Sequence, residues 1–163
     1  MKHFALLLAA FLATGCSTAA MTPVAFAAEH PEAKPYEKTE TARPDVDAAL
    51  AQAKAEDKLG LIVMGANWCH DSRALAGWFE TERFQTMLSE NYVVQYIDVG
   101  QKNRNQDIAE SFGLDGTPGT PTVVVVDTDG MVLNLDTAPT WRNAASRAED
   151  DIYAEFESFT KGR

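Results

Sequence analysis

Residues 61–75 read Leu61-Ile62-Val63-Met64-Gly65-Ala66-Asn67-Trp68-Cys69-His70-Asp71-Ser72-Arg73-Ala74-Leu75. The apolar run Leu61 to Met64 is short, as expected of a strand buried on both faces. A brief turn follows, and a helix begins near Cys69, with Leu75, Trp78 and Phe79 forming its core stripe and Phe84, Met87 and Leu88 continuing it. Strand, turn and helix place a thiol at a helix N-terminus. Unpaired backbone N–H groups and the helix dipole favour an anion there.

The flanking sequence extends this unit on both sides. Upstream, Pro44-Asp45 opens a helix, since proline and acidic residues suit first turns, and Val46, Ala49, Leu50 and Ala53 recur on one face. Downstream, Tyr92 to Val99 is a strand candidate, and Asn105 to Phe112 is a short helix stopped by Gly113. The β-branched run Thr122 to Val126 is the strongest strand signal. Asp127-Thr128-Asp129-Gly130 then predicts a turn into a second hairpin strand, Met131 to Leu135. A last helix is expected over Trp141 to Phe159, with Ala145, Ala148, Ile152, Phe156 and Phe159 on one side. The order α-β-α-β-α-β-β-α predicts an α/β fold with a central mixed β-sheet flanked by helices.

The start of the chain carries targeting signals. Met1-Lys2-His3 is basic, and Phe4 to Thr14 is an apolar run too short to span a bilayer, which takes about 20 residues. A secretory signal peptide over residues 1–28 is the better reading. Two processing sites compete. Leu12-Ala13-Thr14-Gly15-Cys16 resembles a bacterial lipobox, with Cys16 the lipidated residue and the preferred Leu one place too far upstream. Ala25-Phe26-Ala27 is an A-x-A site that would release a soluble protein after Ala27. The position of Cys16, directly after the apolar run, favours the lipoprotein. Either cut implies an envelope, periplasmic location, with a membrane attachment only through a lipid anchor. Residues 29–43 are polar, charged and proline-containing, and read as a flexible tether ahead of a domain over 44–163.

The 163 residues suit one domain with a sizeable core. Lys and Arg total 14 against 24 acidic residues, for a net charge of −10, which argues against nucleic acid and against a polybasic grip on anionic lipid. Of the two cysteines, Cys16 is acylated or discarded, so Cys69 is left without an internal partner. A structural disulfide and a cysteine-based metal site are both excluded.

Strand, Trp68-Cys69-x-x, helix, strand ending Asp98-Val99, helix, Thr120-Pro121-Thr122, hairpin, helix: this series resembles the thioredoxin superfamily over residues 45–160. Cys69-His70-Asp71-Ser72-Arg73-Ala74-Leu75 is similar to the C-x-x-S/C-x-A-L run of the thioredoxin-like branch that includes the anterior-gradient proteins. Two departures stand out. Ser72 replaces the family's second cysteine, and the strand Leu61 to Met64 lacks the acid that, in thioredoxins proper, helps deprotonate it. Gly116-Thr117-Pro118 is also followed by Gly119-Thr120-Pro121. The family's cis-proline facing the cysteine is assigned to Pro121, because the β run starts directly after it, with Pro118 the alternative.

The resemblance implies a catalytic group of Cys69, Ser72 and His70, and a client surface of Trp68, Thr120 and Pro121. His70 adds a positive charge or a donor near the thiol, Asp71 opposes the thiolate, and the Ser72 hydroxyl donates to it or caps the helix. Thr120-Pro121 offers an open backbone edge to an extended client. A zinc site at His70 is not expected, because the other histidines, His3 and His30, lie in the signal and the tether, and no metal or cofactor is assigned. Expected partners are protein thiols or disulfides and glutathione-like small thiols. Three functions remain open: a monothiol protein forming mixed disulfides through Cys69, a redox-silent client-binding or chaperone module, and a Cys69-linked homodimer.

Overall fold

The computed structural model describes residues 30–161; Cys16 and both signal-peptide cuts lie outside the described residues. Strand β1, Leu59–Gly65, is buried along its whole length. It pairs in parallel with β2, Tyr92–Asp98, and antiparallel with β3, Thr122–Val126, giving a three-stranded sheet of order β2-β1-β3. A parallel pair needs a crossover, which here consists of α2, His70–Phe79, and α3, Glu82–Asn91. The fold class is α/β: a mixed sheet flanked by helices.

Alternation along the strands divides the core in two. Leu59, Leu61, Val63, Val123 and Val125 pack with Leu75, Phe79, Phe84 and Leu88 of α2 and α3 and with Ile152 and Phe156 of the last helix. Ile62, Met64, Val124 and Val126 face the other way, onto Val46 of α1, Arg43–Ala55, and onto Ile108 and Ala109 of α4, Gln106–Ser111. Successive strand side chains point to opposite faces, so a strand covered by helices on both sides has no polar position to show.

Four expectations are corrected. The helix expected to run from the cysteine to Leu88 is broken at Glu80 and Thr81. Thr81 is extended, at φ −71° and ψ 149°, and its hydroxyl donates to the Trp78 carbonyl at 2.8 Å. The bend brings Phe84 and Leu88 against the same core that Leu75 and Phe79 enter.

The second hairpin strand is reduced to one bridge, between Val126 and Val132. The Asp127–Gly130 turn does form, with Asp127 Oδ1 accepting from the backbone N–H of Asp129 and of Met131. Beyond the bridge the buried side chain of Asn134 takes the place of a strand. Its Oδ1 accepts from Val125 N–H at 2.8 Å and its Nδ2 donates to the Val123 carbonyl at 2.8 Å. With the Leu133 N–H on the Val125 carbonyl and the Asn134 amide on Val125 and Val123, the edge of β3 is satisfied without a second strand.

The last helix is shorter than periodicity suggests. Short 3₁₀ turns occupy Ala138–Trp141 and Ala144–Ser146, and α5 spans Glu149–Thr160. Glu149, Asp150 and Asp151 fill its first turn, where acids complement the dipole. Buried Trp141 is freed to stack on Phe156, with ring centroids 4.8 Å apart, under the Arg147 guanidinium.

The stretch read as a tether is packed onto the domain from residue 30 onward, its first part against α2 and Ala42 against Asn105. Ala33, Tyr36 and Ala42 are buried. Ala33 N–H donates to the Arg73 carbonyl at 3.0 Å, and Asn67 clasps Tyr36 through two hydrogen bonds, one to its N–H and one to its carbonyl. Helical Gly77 makes the approach possible: a Cβ there would stand 2.3 Å from the Pro31 backbone. Average polarity hid these anchors, because a few buried apolar residues suffice to dock a chain that is otherwise hydrophilic.

Candidate active site

Cys69 is the N-cap of α2, with φ −81° and ψ 123°. Its N–H donates to the Ala66 carbonyl, closing the turn after β1, and its own carbonyl accepts the Arg73 N–H. The residue is buried. The loop before β3, 51 residues away, supplies both partners of its sulfur: the thiol donates to the Thr120 carbonyl at 3.2 Å, and the Thr120 hydroxyl donates to Sγ at 3.1 Å. The Thr120–Pro121 peptide bond is cis. Thr122, which opens β3, anchors this loop through a 2.8 Å bond from its hydroxyl to the Gly119 carbonyl.

Other predicted site residues take different places. Ser72 is buried, but its hydroxyl has no hydrogen-bond partner among the described residues; the expected donation to the thiolate is made by Thr120. The Ser72 carbonyl instead accepts the Tyr36 phenol at 3.3 Å. These groups crowd the end of β1 so closely that a Cβ on Gly65 would lie 2.7 Å from both the Ser72 hydroxyl and the Tyr36 ring. Asp71 turns to α2's neighbour, accepting the Ala145 N–H at 2.9 Å, so its carboxylate is engaged by the backbone. His70 is exposed and meets His30 and Glu32 of the docked segment. Trp68 is exposed beside the thiol while its indole N–H donates to the Gly100 carbonyl at 2.8 Å.

Arg73 and Tyr36 are the site residues that sequence reasoning missed. The Arg73 guanidinium donates to the Trp68 and Asn67 carbonyls, bracing the turn that presents Cys69, and pairs with Glu32. The bond to Glu32 is the main cause raising the Arg73 pKa, with the Cys69 charge a smaller one. The same bond holds the Glu32 carboxyl below its ordinary value. Burial, reinforced by Tyr96, pushes the Tyr36 phenol well above its usual range and keeps it a neutral donor. The signal available in the sequence was the position of Arg73, one helical turn after the cysteine and on its face.

A family model described as thioredoxin-like matches residues 41–128. The chain belongs to the thioredoxin-like family. Among solved structures, this thioredoxin-like chain is similar to a disulphide isomerase from Xylella fastidiosa Temecula1. The two are 33% identical, over 79% of this chain and 98% of that one, with a TM-score of 0.73. It also shares its fold with a thioredoxin from Thermus thermophilus, at 19% identity over 71% of this chain and 83% of that one, TM-score 0.53. No curated protein matches it.

In this thioredoxin-like site the hydroxyl of Thr120 has a measurable task. A hydrogen bond to a charged acceptor contributes about 1.5–3 kcal/mol, and this one strengthens as the thiol becomes a thiolate. Thr120→Val, in a chain carrying Cys16→Ser so that Cys69 is the one thiol, is expected to slow iodoacetamide alkylation at neutral pH by roughly tenfold or more. An unchanged rate would show that the hydroxyl does not act on the nucleophile.

Proposed function

We propose that the chain is a monothiol thiol–disulfide exchange protein acting through Cys69, of the isomerase, reductase or deglutathionylation type. The observation that carries this reading is the sulfur's position: at the N-cap of α2, addressed by the Thr120 hydroxyl. A helix N-terminus favours an anion, and a thiolate is the attacking form in disulfide exchange. Membership of the thioredoxin-like family and the likeness to the Xylella disulphide isomerase support the same chemistry.

The exchange balances without a cofactor. The Cys69 thiolate attacks one sulfur of a client disulfide, a Cys69–client disulfide forms, and the other client sulfur leaves as a thiolate. Ser72 has no thiol to resolve that adduct. A second client thiol or a glutathione-like thiol therefore attacks it and returns Cys69 as a thiolate. With a client thiol the net change is isomerisation, and no electrons are gained or lost. Trp68, Thr120 and Pro121 would form the client surface. We place the protein in the cell envelope, released after Ala27 or anchored through Cys16, where client disulfides persist.

Burial of Cys69 favours a second reading, a client-binding module that keeps the groove and does no chemistry. The same burial weighs against a Cys69-linked homodimer, since two shielded sulfurs must meet. The test uses the full chain with Cys16→Ser, incubated with a scrambled-disulfide protein in a glutathione buffer. Faster recovery of native client, with adducts on a non-reducing gel at the summed mass of client and chain, is the expected result. Recovery at the uncatalysed rate with no adduct would overturn the exchange reading, and a single band at twice the chain mass would replace it with the dimer.

A further inference from the structure

His30 and His70 are 40 residues apart in sequence, yet their Nε2 atoms lie 2.9 Å from one another. Glu32 Oε1 is 3.5 Å from His70 Nε2, and the three ligand atoms all fall within 4.8 Å of one another. We propose that His30, Glu32 and His70 form a binding site for one divalent transition-metal cation of the zinc class, at the rim of the Cys69 site.

The donor set fits that class. Two imidazoles and one carboxylate suit a borderline cation such as Zn²⁺, and three protein ligands leave a coordination position open. Bonds of about 2.0–2.1 Å in a tetrahedral arrangement put neighbouring donors roughly 3.3 Å apart. The observed separations of 2.9 and 3.5 Å lie on either side of that value.

Neighbouring groups orient the ligands as outer partners do in metal sites. His30 Nδ1 is 3.3 Å from the Pro31 carbonyl; an N–H donated there leaves the lone pair on Nε2, the atom that faces His70. Arg73 Nε holds Glu32 through Oε2 at 3.0 Å, which turns Oε1 toward the imidazoles. The ligand-bearing segment is itself docked, by the Ala33 N–H on the Arg73 carbonyl and by Pro31 against Gly77. Cys69 is not among the converging atoms, and its sulfur is already engaged by Thr120. The site is therefore distinct from the thiol, although His70 directly follows Cys69 in the chain. His30, read from the sequence as part of a free tether, lies beside His70 in the structure.

The test titrates Zn²⁺ into the metal-stripped full chain carrying Cys16→Ser, against a chromophoric chelator. One Zn²⁺ per chain is expected, with His30→Ala and His70→Ala each weakening affinity by roughly tenfold or more. Cys69→Ser should leave the affinity unchanged. Zn²⁺ should also raise the Tm of the parent chain and not that of the His30→Ala/His70→Ala double variant, whose far-UV circular dichroism reports that it is folded. With Co²⁺ as the probe, tetrahedral visible bands without thiolate charge transfer are expected. Absence of stoichiometric Zn²⁺, affinity indifferent to both histidines, or binding lost on Cys69→Ser would each overturn the site. None of these outcomes bears on disulfide exchange, so the two proposals stand or fall separately.

Discussion

Cys69→Ser, in a chain already carrying Cys16→Ser, is expected to abolish mixed-disulfide formation and leave the fold intact. The loss is complete because the chain has two cysteines in all, and a serine hydroxyl does not attack disulfides at neutral pH. Stability should hold because a serine hydroxyl can keep both contacts of the thiol, donating to the Thr120 carbonyl and accepting from the Thr120 hydroxyl. The measurement pairs the rate of reaction with an aromatic disulfide reagent with a urea unfolding curve. An exchange rate at background with an unmoved midpoint supports Cys69 as the nucleophile. Residual exchange would sink the assignment, and a collapsed midpoint would make the variant uninformative about chemistry, in which case alkylation of native Cys69 before the exchange assay must give the same loss.

Tyr36→Ala is expected to destabilise the domain by about 3 kcal/mol, in line with truncation of a buried aromatic side chain. The residue sits in the segment that composition alone reads as a tether. Its ring meets Tyr96 edge-on, with centroids 5.4 Å apart, and its hydroxyl donates to the Ser72 carbonyl in the first turn of α2. For a chain of this size the loss corresponds to a Tm lower by roughly 6–12 °C. A free tether would tolerate the change within about 0.5 kcal/mol, so thermal unfolding distinguishes the two cases directly. Tyr36→Phe separates the parts: it keeps the ring packing and removes only the hydrogen bond, at a cost of about 1 kcal/mol.

Those two residues mark the limits of what local pattern can show. The strand and helix around Cys69 were legible because burial on both faces leaves an unbroken apolar run, and because the core stripe of α2 repeats within a turn or two. The stripe did not show the bend at Thr81, where a threonine hydroxyl returning to the Trp78 carbonyl ends one helix and starts the next. Nor did alternation after Gly130 show that Asn134 would satisfy β3 with its side chain, since an amide imitates a backbone pair only where the chain delivers it to that edge.

The site divides in the same way. Cys69 at a helix start, Trp68 before it and Thr120-Pro121 ahead of β3 are positions along the chain, readable from local pattern. The α/β class and the lack of a second thiol at Ser72 were legible there too. That Thr120 rather than Ser72 serves the sulfur, that Arg73 reaches Glu32 and that His30 meets His70 emerged with the folded arrangement. The difference is one of range. Periodicity and capping act over a few residues, whereas these contacts join groups 40 or more residues apart, and they exist only once the sheet order and the docked N-terminal segment have brought their backbones together.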